Sequence, residues 1–281
     1  MAKLDSVYVM TDLEGVAGID DWDPRHRDDA STARGVRDRE EMQRLLTGEV
    51  CAAIEGLQAA GVRRLVVNDA HGAGRTILAE RLPPAVCLAR GTERGSWVMG
   101  LEPGCQALVQ VGMHAMARTP GACLCHTMSS GYVYRVNGVD VGEMELCAYL
   151  LGEFGIPWVF VSGDGHACRE AERFVPGIVT VAVKEGHSLK SAVHLSPAEA
   201  CARIRSAVQE AVARADRLEP LRAPRPTTME IVRDEPWPRE IRAGAQRVDA
   251  FTVRYEGPNI WQVFNHHFYG RPDLPPPMQM R

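Results

Sequence analysis

In this 281-residue chain, six residues of types that bind metals or move protons stand out because they fall at or just beyond the ends of short apolar runs. Asp12 and Glu14 follow Ser6–Met10, and His71 follows Arg64–Val67 through Asn68-Asp69-Ala70. His114 follows Ala107–Val111, His126 follows Ala122–Cys125, and Glu143 comes just after an alternating stretch from Tyr132 to Val141. In extended chain, Asp12 and Glu14 point the same way. Two adjacent carboxylates repel, and one takes up a proton unless a cation lies between them. Asp12, Glu14, His71, His114 and Glu143 make a mixed nitrogen and oxygen set, which suits Zn²⁺ ahead of Mn²⁺ or Co²⁺. Five ligands exceed the needs of one tetrahedral zinc and fit two metals sharing a carboxylate, as in two-metal hydrolases. A metal-activated water attacking an amide carbonyl needs a donor for the oxyanion or an acid for the leaving amine, and His126 is placed to supply either.

Each residue also has a plainer reading. A lone His after a strand is commonly a loop residue bonded to backbone. Asp-x-Glu can cap a helix or hold one Mg²⁺. Glu143 can simply complement a helix dipole, and His126 can be a sixth ligand or a structural group. What favours the metal reading is repetition, because open parallel sheets bind ligands at the carboxyl ends of their strands.

The elements that must position these residues read as α/β. Strands are expected at Ser6–Met10, Arg64–Val67, Ala107–Val111, Ala122–Cys125 and Pro157–Val161. A helix is expected from about Arg39 to Ala60, where Met42, Leu46, Val50, Ile54 and Leu57 recur at three- and four-residue spacing and Gly61 follows as a stop. Strand, helix and strand in that order imply a parallel pair with a right-handed crossover. Asn137-Gly138 signals a two-residue hairpin, and Gly142-Glu143 opens a second helix running to about Phe154. Ser196-Pro197-Ala198-Glu199 reads as a capping box starting a helix to about Ala215. Five prolines between Leu218 and Pro238 imply extended, irregular chain, with short strands at Thr228–Val232 and Phe251–Tyr255. The expected architecture is a mostly parallel central sheet flanked by helices, over residues 1–190, and a smaller C-terminal α+β part, 191–281, in oligomer contacts.

A net charge of −4 with mixed signs gives no basic surface for nucleic acid. No apolar stretch nears the about 20 residues of a membrane helix, and the N-terminus shows no leader pattern, so a cytoplasmic protein is expected. The eight Cys are scattered without CxxC spacing and read as small buried residues; Cys123 and Cys125 fit one face of a packed strand. The charge cluster from Asp20 to Glu41 reads as a solvated loop. Asp164 and His166 are expected to line the pocket or shape a turn, His266-His267 to lie at the surface or an interface, and Asn68 and Asp69 to orient His71.

Taken in order, TDLEGVAG, NDAHG, GMHA, CHT and VNGVDVGE resemble the D-aminopeptidase family of zinc peptidases (peptidase family M55, the DppA type). The likeness runs from about residue 5 to 215 and weakens beyond. It implies two zinc ions per subunit on Asp12, Glu14, His71, His114 and Glu143, with His126 as the additional catalytic histidine. It also implies removal of an N-terminal D-residue, such as D-Ala, from short peptides, and ring-shaped homo-oligomers whose sites face an inner cavity. Two departures bear on the substrate: Ala73-Gly74-Arg75-Thr76 replaces a usual Arg-Asn pair, and the Asp20–Arg39 loop is long and charged. The runner-up activity is a dinuclear-metal amidase for another small amide, such as an L-peptide, a β-peptide or a biosynthetic intermediate. Behind it stand a phosphoesterase, against which the lack of a Gly-rich phosphate loop argues, and a non-catalytic metal-binding scaffold.

Overall fold

The structure, a computed structural model, describes residues 4–72 and 74–277. In chain order the elements are β1 (Ser6–Thr11), α1 (Ala33–Ala59), β2 (Arg64–Asp69), β3 (Val86–Ala89) and β4 (Ala107–Met113), followed by β5 (Tyr132–Val136), β6 (Val139–Val141), α2 (Glu143–Gly152) and β7 (Trp158–Asp164). Then come α3 (Gly165–Phe174), β8 (Val179–Ser188), β9 (Ser191–His194), α4 (Pro197–Arg214), β10 (Thr227–Arg233), β11 (Gln246–Arg247), β12 (Thr252–Gly257) and α5 (Ile260–Tyr269).

A seven-stranded sheet runs in the order β3-β2-β1-β4-β7-β8-β9, parallel except for the antiparallel edge strand β9. The chain leaves β1 toward β2 and β3, then returns to place β4 on its other side. This reversal opens a crevice at the carboxyl ends of β1 and β4, where such sheets bind ligands. A five-stranded antiparallel sheet, β11-β12-β10-β5-β6, forms a second layer. Both the 1–190 and 191–281 parts expected from sequence contribute to both sheets. The β5–β6 hairpin lies in the second, while β9 belongs to the first and α4 packs on α1.

Alternation along β1 divides the core. Val7 and Val9 pack under α1 and α4, whereas Tyr8 and Met10 face Met144 and Cys147 of α2 and Phe264 of α5. Leu146 and Tyr149 of α2 and Ile260 and Val263 of α5 then meet Met229, Ile231 and Val253 of the second sheet. Helices α2 and α5 are thus packed between the sheets, which is why they are rich in apolar residues. Burying one such side chain contributes about 1.5–3 kcal/mol.

Helix α1 begins at Ala33, six residues ahead of the expected start, because Thr32 caps it by accepting from Gly35 N at 3.1 Å. Ser196 caps α4 as read, accepting from Glu199 N. The Asn137-Gly138 turn has positive φ at both residues, 48° and 82°, as a type I′ hairpin requires. The strand expected at Ala122–Cys125 is instead a buried turn with Leu124 at φ 52°. Its donors are taken outside any ladder, Cys123 N by Asp164 Oδ2 and Leu124 N by Leu189 O. The apolar run there records burial, not pairing. No helix among the described residues is long and apolar enough to cross a membrane.

Candidate metal centre

The ends of β1 and β4 come unusually close. A Cβ at Gly112, which has φ +78°, would lie 2.2 Å from Asp12 O, and one at Gly15 would lie 1.9 Å from Met113 O. Only glycine permits this approach, and it brings the loop after β1 against the loop after β4. From below, Lys184 of β8 donates to the carbonyls of Glu14 and Ile19 and ties the first loop to the sheet.

Asp12, Glu14, His71 and His114 meet at this edge, buried to within 7% of full exclusion. His71 Nδ1 is 3.0 Å from both Asp12 Oδ1 and Glu14 Oε2. His114 Nε2 is 3.0 Å from Asp12 Oδ2 and 3.5 Å from Glu143 Oε1, so Asp12 stands between the two histidines. Glu143 opens α2 and accepts from Met128 N at 2.7 Å. His126 stacks on His114 with ring centroids 4.1 Å apart, and its Nε2 is 3.7 Å from Glu143 Oε1. All six residues read from the sequence are therefore brought together, five of them lining a cleft of about 430 Å³ with His114 beneath its floor. A larger groove of about 550 Å³ at the opposite edge, between Leu4, Pro157 and Leu218, gathers no such set.

The histidine tautomers follow from their neighbours. His114 Nδ1 lies 2.9 Å from Ala115 O and His126 Nδ1 lies 2.9 Å from Leu124 O. A carbonyl only accepts, so each Nδ1 carries a proton and each Nε2 faces the cluster. Burial would raise Asp12, but His114 and His71 outweigh it and hold that carboxyl well below the usual range. Likewise burial is outweighed at Glu143, which His114 holds at about 2. Burial would lower the imidazoles, yet Glu14, Asp12 and Asp23 raise His71, and Asp12 and Glu143 raise His114.

The donor set fits a cation. Asp12 Oδ2, Glu14 Oε2 and His114 Nε2 are buried and lack an aligned hydrogen-bond partner despite lying so close together. Carboxylates left this way are costly unless a positive charge is shared among them. Among the described residues, both clusters with spacing suited to a metal are here, Asp12/Glu14/His114 and His114/His126/Glu143. His126 belongs to the second, so its position suits either a ligand or a proton-transfer group.

Sequence reasoning missed the neighbours supplied by the charged loop. Far from being solvated throughout, it turns inward at Trp22–His26. Trp22 packs edge-on against His126 at 5.3 Å, His26 faces His71 at 6.3 Å, and Asp23 is 2% exposed with Oδ2 3.3 Å from His71 Nε2. Asp23-Pro24 was the available signal, a turn dipeptide inside a charge run. The two departures from the family pattern touch: Arg25 Nη1 donates to Gly74 O at 2.7 Å, while Ala73 lies outside the described residues. Asp69 gathers Thr76 N and Ile77 N and Asn68 bonds Trp97 O, so both shape the His71 loop without touching the ring. Asp164 caps α3 through His166 N and holds the Cys123 turn. His266 and His267, expected at the surface or an interface, are half-buried against Tyr255, with His267 also 3.3 Å from Tyr134 Oη.

Known proteins share this arrangement of elements. The sequence model of the D-aminopeptidase family, peptidase family M55, matches residues 6–267. A D-aminopeptidase of Bacillus subtilis (strain 168) is 31% identical over 220 residues, covering 78% of this chain and 77% of the relative. The structure of the Zn-dependent D-aminopeptidase DppA from Bacillus subtilis, described as a self-compartmentalizing protease, superposes with a TM-score of 0.82 at 27% identity, covering 91% of this chain and 92% of that one. The match spans both sheets and the cleft between the ends of β1 and β4, and the chain belongs to the D-aminopeptidase family.

Proposed function

We propose that this chain is a zinc-dependent aminopeptidase that releases an N-terminal D-residue of the D-alanine class from short peptides. The observation that carries the reading is the convergence of Asp12, Glu14, His71, His114 and Glu143 on one buried point beside His126. These five residues would hold two zinc ions per subunit, with Asp12, which faces both His71 and His114, shared between them. Zinc so held supplies Lewis-acid polarisation of the scissile carbonyl and a nucleophilic water at neutral pH. Membership of the D-aminopeptidase family supports both the activity and the metal.

The chain's own groups do the rest. The Leu124 carbonyl keeps His126 Nδ1 protonated, so the ring exchanges protons with the cleft only through Nε2. Protonated there, His126 donates either to the carbonyl oxygen as it gains charge or to the amine nitrogen as it leaves. Trp22, edge-on to the same ring, fixes its tilt and limits water.

Offering D-Ala-D-Ala and L-Ala-L-Ala to the zinc-loaded protein tests the substrate. Cleavage of the D-peptide alone is expected; equal or better cleavage of the L-peptide would remove the D-assignment and leave a metallopeptidase. A ring-shaped homo-oligomer is part of the same proposal, supported by the self-compartmentalizing relative and by Val248 and Phe251, exposed beside the second sheet. A monomer in sedimentation velocity would contradict it. The eight free thiols suit a reducing cytoplasm, which cell fractionation would check.

A further inference from the structure

We propose that Asp23 is a positioning residue for His71, holding the ring so that Nδ1 is presented to zinc; this rests on the reading of His71 as a ligand. The two ring nitrogens face different surroundings. Nδ1 points between Asp12 and Glu14, 3.0 Å from each. Nε2 points away from them, is buried and lacks an aligned hydrogen-bond partner, and Asp23 Oδ2 at 3.3 Å is the carboxylate it approaches. A histidine that binds metal through one nitrogen normally donates the other N–H to a carboxylate or carbonyl, which fixes tautomer and tilt. His114 and His126 use backbone carbonyls for this purpose. For His71, Asp23 is the acceptor in that position among the described residues.

The carboxylate is itself held in place. Asp23 Oδ1 accepts from Arg25 N at 2.9 Å, and Oδ2 accepts from Arg25 Nε at 2.8 Å. Arg25 Nη1 donates to Gly74 O, and Gly74 N donates to His71 O at 2.8 Å. The contacts close a circuit from the His71 ring through Asp23, Arg25 and Gly74 back to the His71 backbone. The Trp22–His26 segment and the His71 loop therefore fix each other, and a small rotation of the His71 ring would bring Nε2–H into line with Asp23.

Asp23 also caps the short turn Pro24–His26, so the test must separate positioning from turn formation. Asp23→Asn keeps an oxygen for the Arg25 N–H but places an amide donor against the Nε2 donor. Zinc dissociation constants would be measured by competition with a chromogenic chelator for wild type, Asp23→Asn, His71→Ala and the double variant, with the melting temperature of each metal-free protein. The expected result is about 10- to 100-fold weaker zinc binding in Asp23→Asn, a metal-free protein that still melts cooperatively, and no further loss when Asp23→Asn is added to His71→Ala. Wild-type affinity in Asp23→Asn overturns the proposal, as does a full additive loss in the double variant, because Asp23 would then act through something other than His71. Unchanged zinc affinity in His71→Ala overturns instead the assignment of His71 as a ligand.

Discussion

The two sheets of this chain treat charge in opposite ways. At the carboxyl edge of the seven-stranded sheet, Asp12, Glu14, His71 and His114 crowd together, buried, and Asp12 Oδ2, Glu14 Oε2 and His114 Nε2 lack aligned partners. On the five-stranded sheet, Arg254 meets Glu230 across β10 and β12, and Arg135 meets Asp140 across the hairpin, all within reach of water. Pairs of the second kind contribute about 0–1 kcal/mol and cost little. The first kind carries a desolvation cost that packing of the protein alone does not offset. Charge on one sheet is paired locally, and on the other the proposed zinc would supply the opposite charge.

The comparison breaks most sharply at Asp12. Asp12→Ala removes the carboxylate between both histidines and is expected to lower kcat/KM by more than ~10⁴-fold with loss of zinc; a variant that keeps its metal and its rate would defeat the proposed site. His126→Ala is expected to keep zinc yet lose about 10²- to 10⁴-fold in kcat, and parallel loss of metal would make His126 a ligand. On the second sheet, Ile231→Ala should cost about 2–5 kcal/mol of stability, with zinc content per folded protein unchanged.

A subtler difference lies beneath the first sheet. Burial raises the Glu49 carboxyl from 4.5 to about 8, only partly offset by the Ala17 N–H it accepts. The folded chain thus holds this proton more tightly than the unfolded chain. Its contribution to stability is complete below pH 4.5 and is lost as pH rises through about 8. Glu49→Gln should therefore raise the melting temperature at pH 9 by at least ~2 °C and leave it nearly unchanged at pH 4. The smallest effect is expected for Arg254→Ala, about 1 kcal/mol or less in chemical denaturation with no change in activity.

Much of the site was legible because its residues mark local transitions. A carboxylate or imidazole just beyond an apolar run is visible in one window of sequence, and the parallel sheet then delivers Asp12, Glu14, His71 and His114 to one edge, while the start of α2 places Glu143 and a buried turn places His126. The Asn137-Gly138 hairpin was legible for a similar reason, since two adjacent positive φ angles demand those residue types. Asp23 was not, because what distinguishes it is its contact with His71, 48 positions away, within a charge run that reads as solvated. The Ala122–Cys125 turn misled because its side chains are buried in a row, as in a core strand, while its backbone donors go to Asp164 and Leu189. Nor does local pattern reveal that the β5–β6 hairpin joins a sheet completed by strands some 90 residues later. Lys184, in an apolar strand, was a visible sign of a buried charge needing partners, which the Glu14 and Ile19 carbonyls supply.

The most direct measurement is zinc removal and return in the intact protein. The chain would be stripped with a chelator and titrated with Zn²⁺ while hydrolysis of D-Ala-D-Ala and bound metal are followed together. No hydrolysis without metal, and a rise that saturates at two zinc ions per subunit, is the predicted result. Full hydrolysis by the stripped protein, or zinc binding that Asp12→Ala leaves untouched, would contradict it.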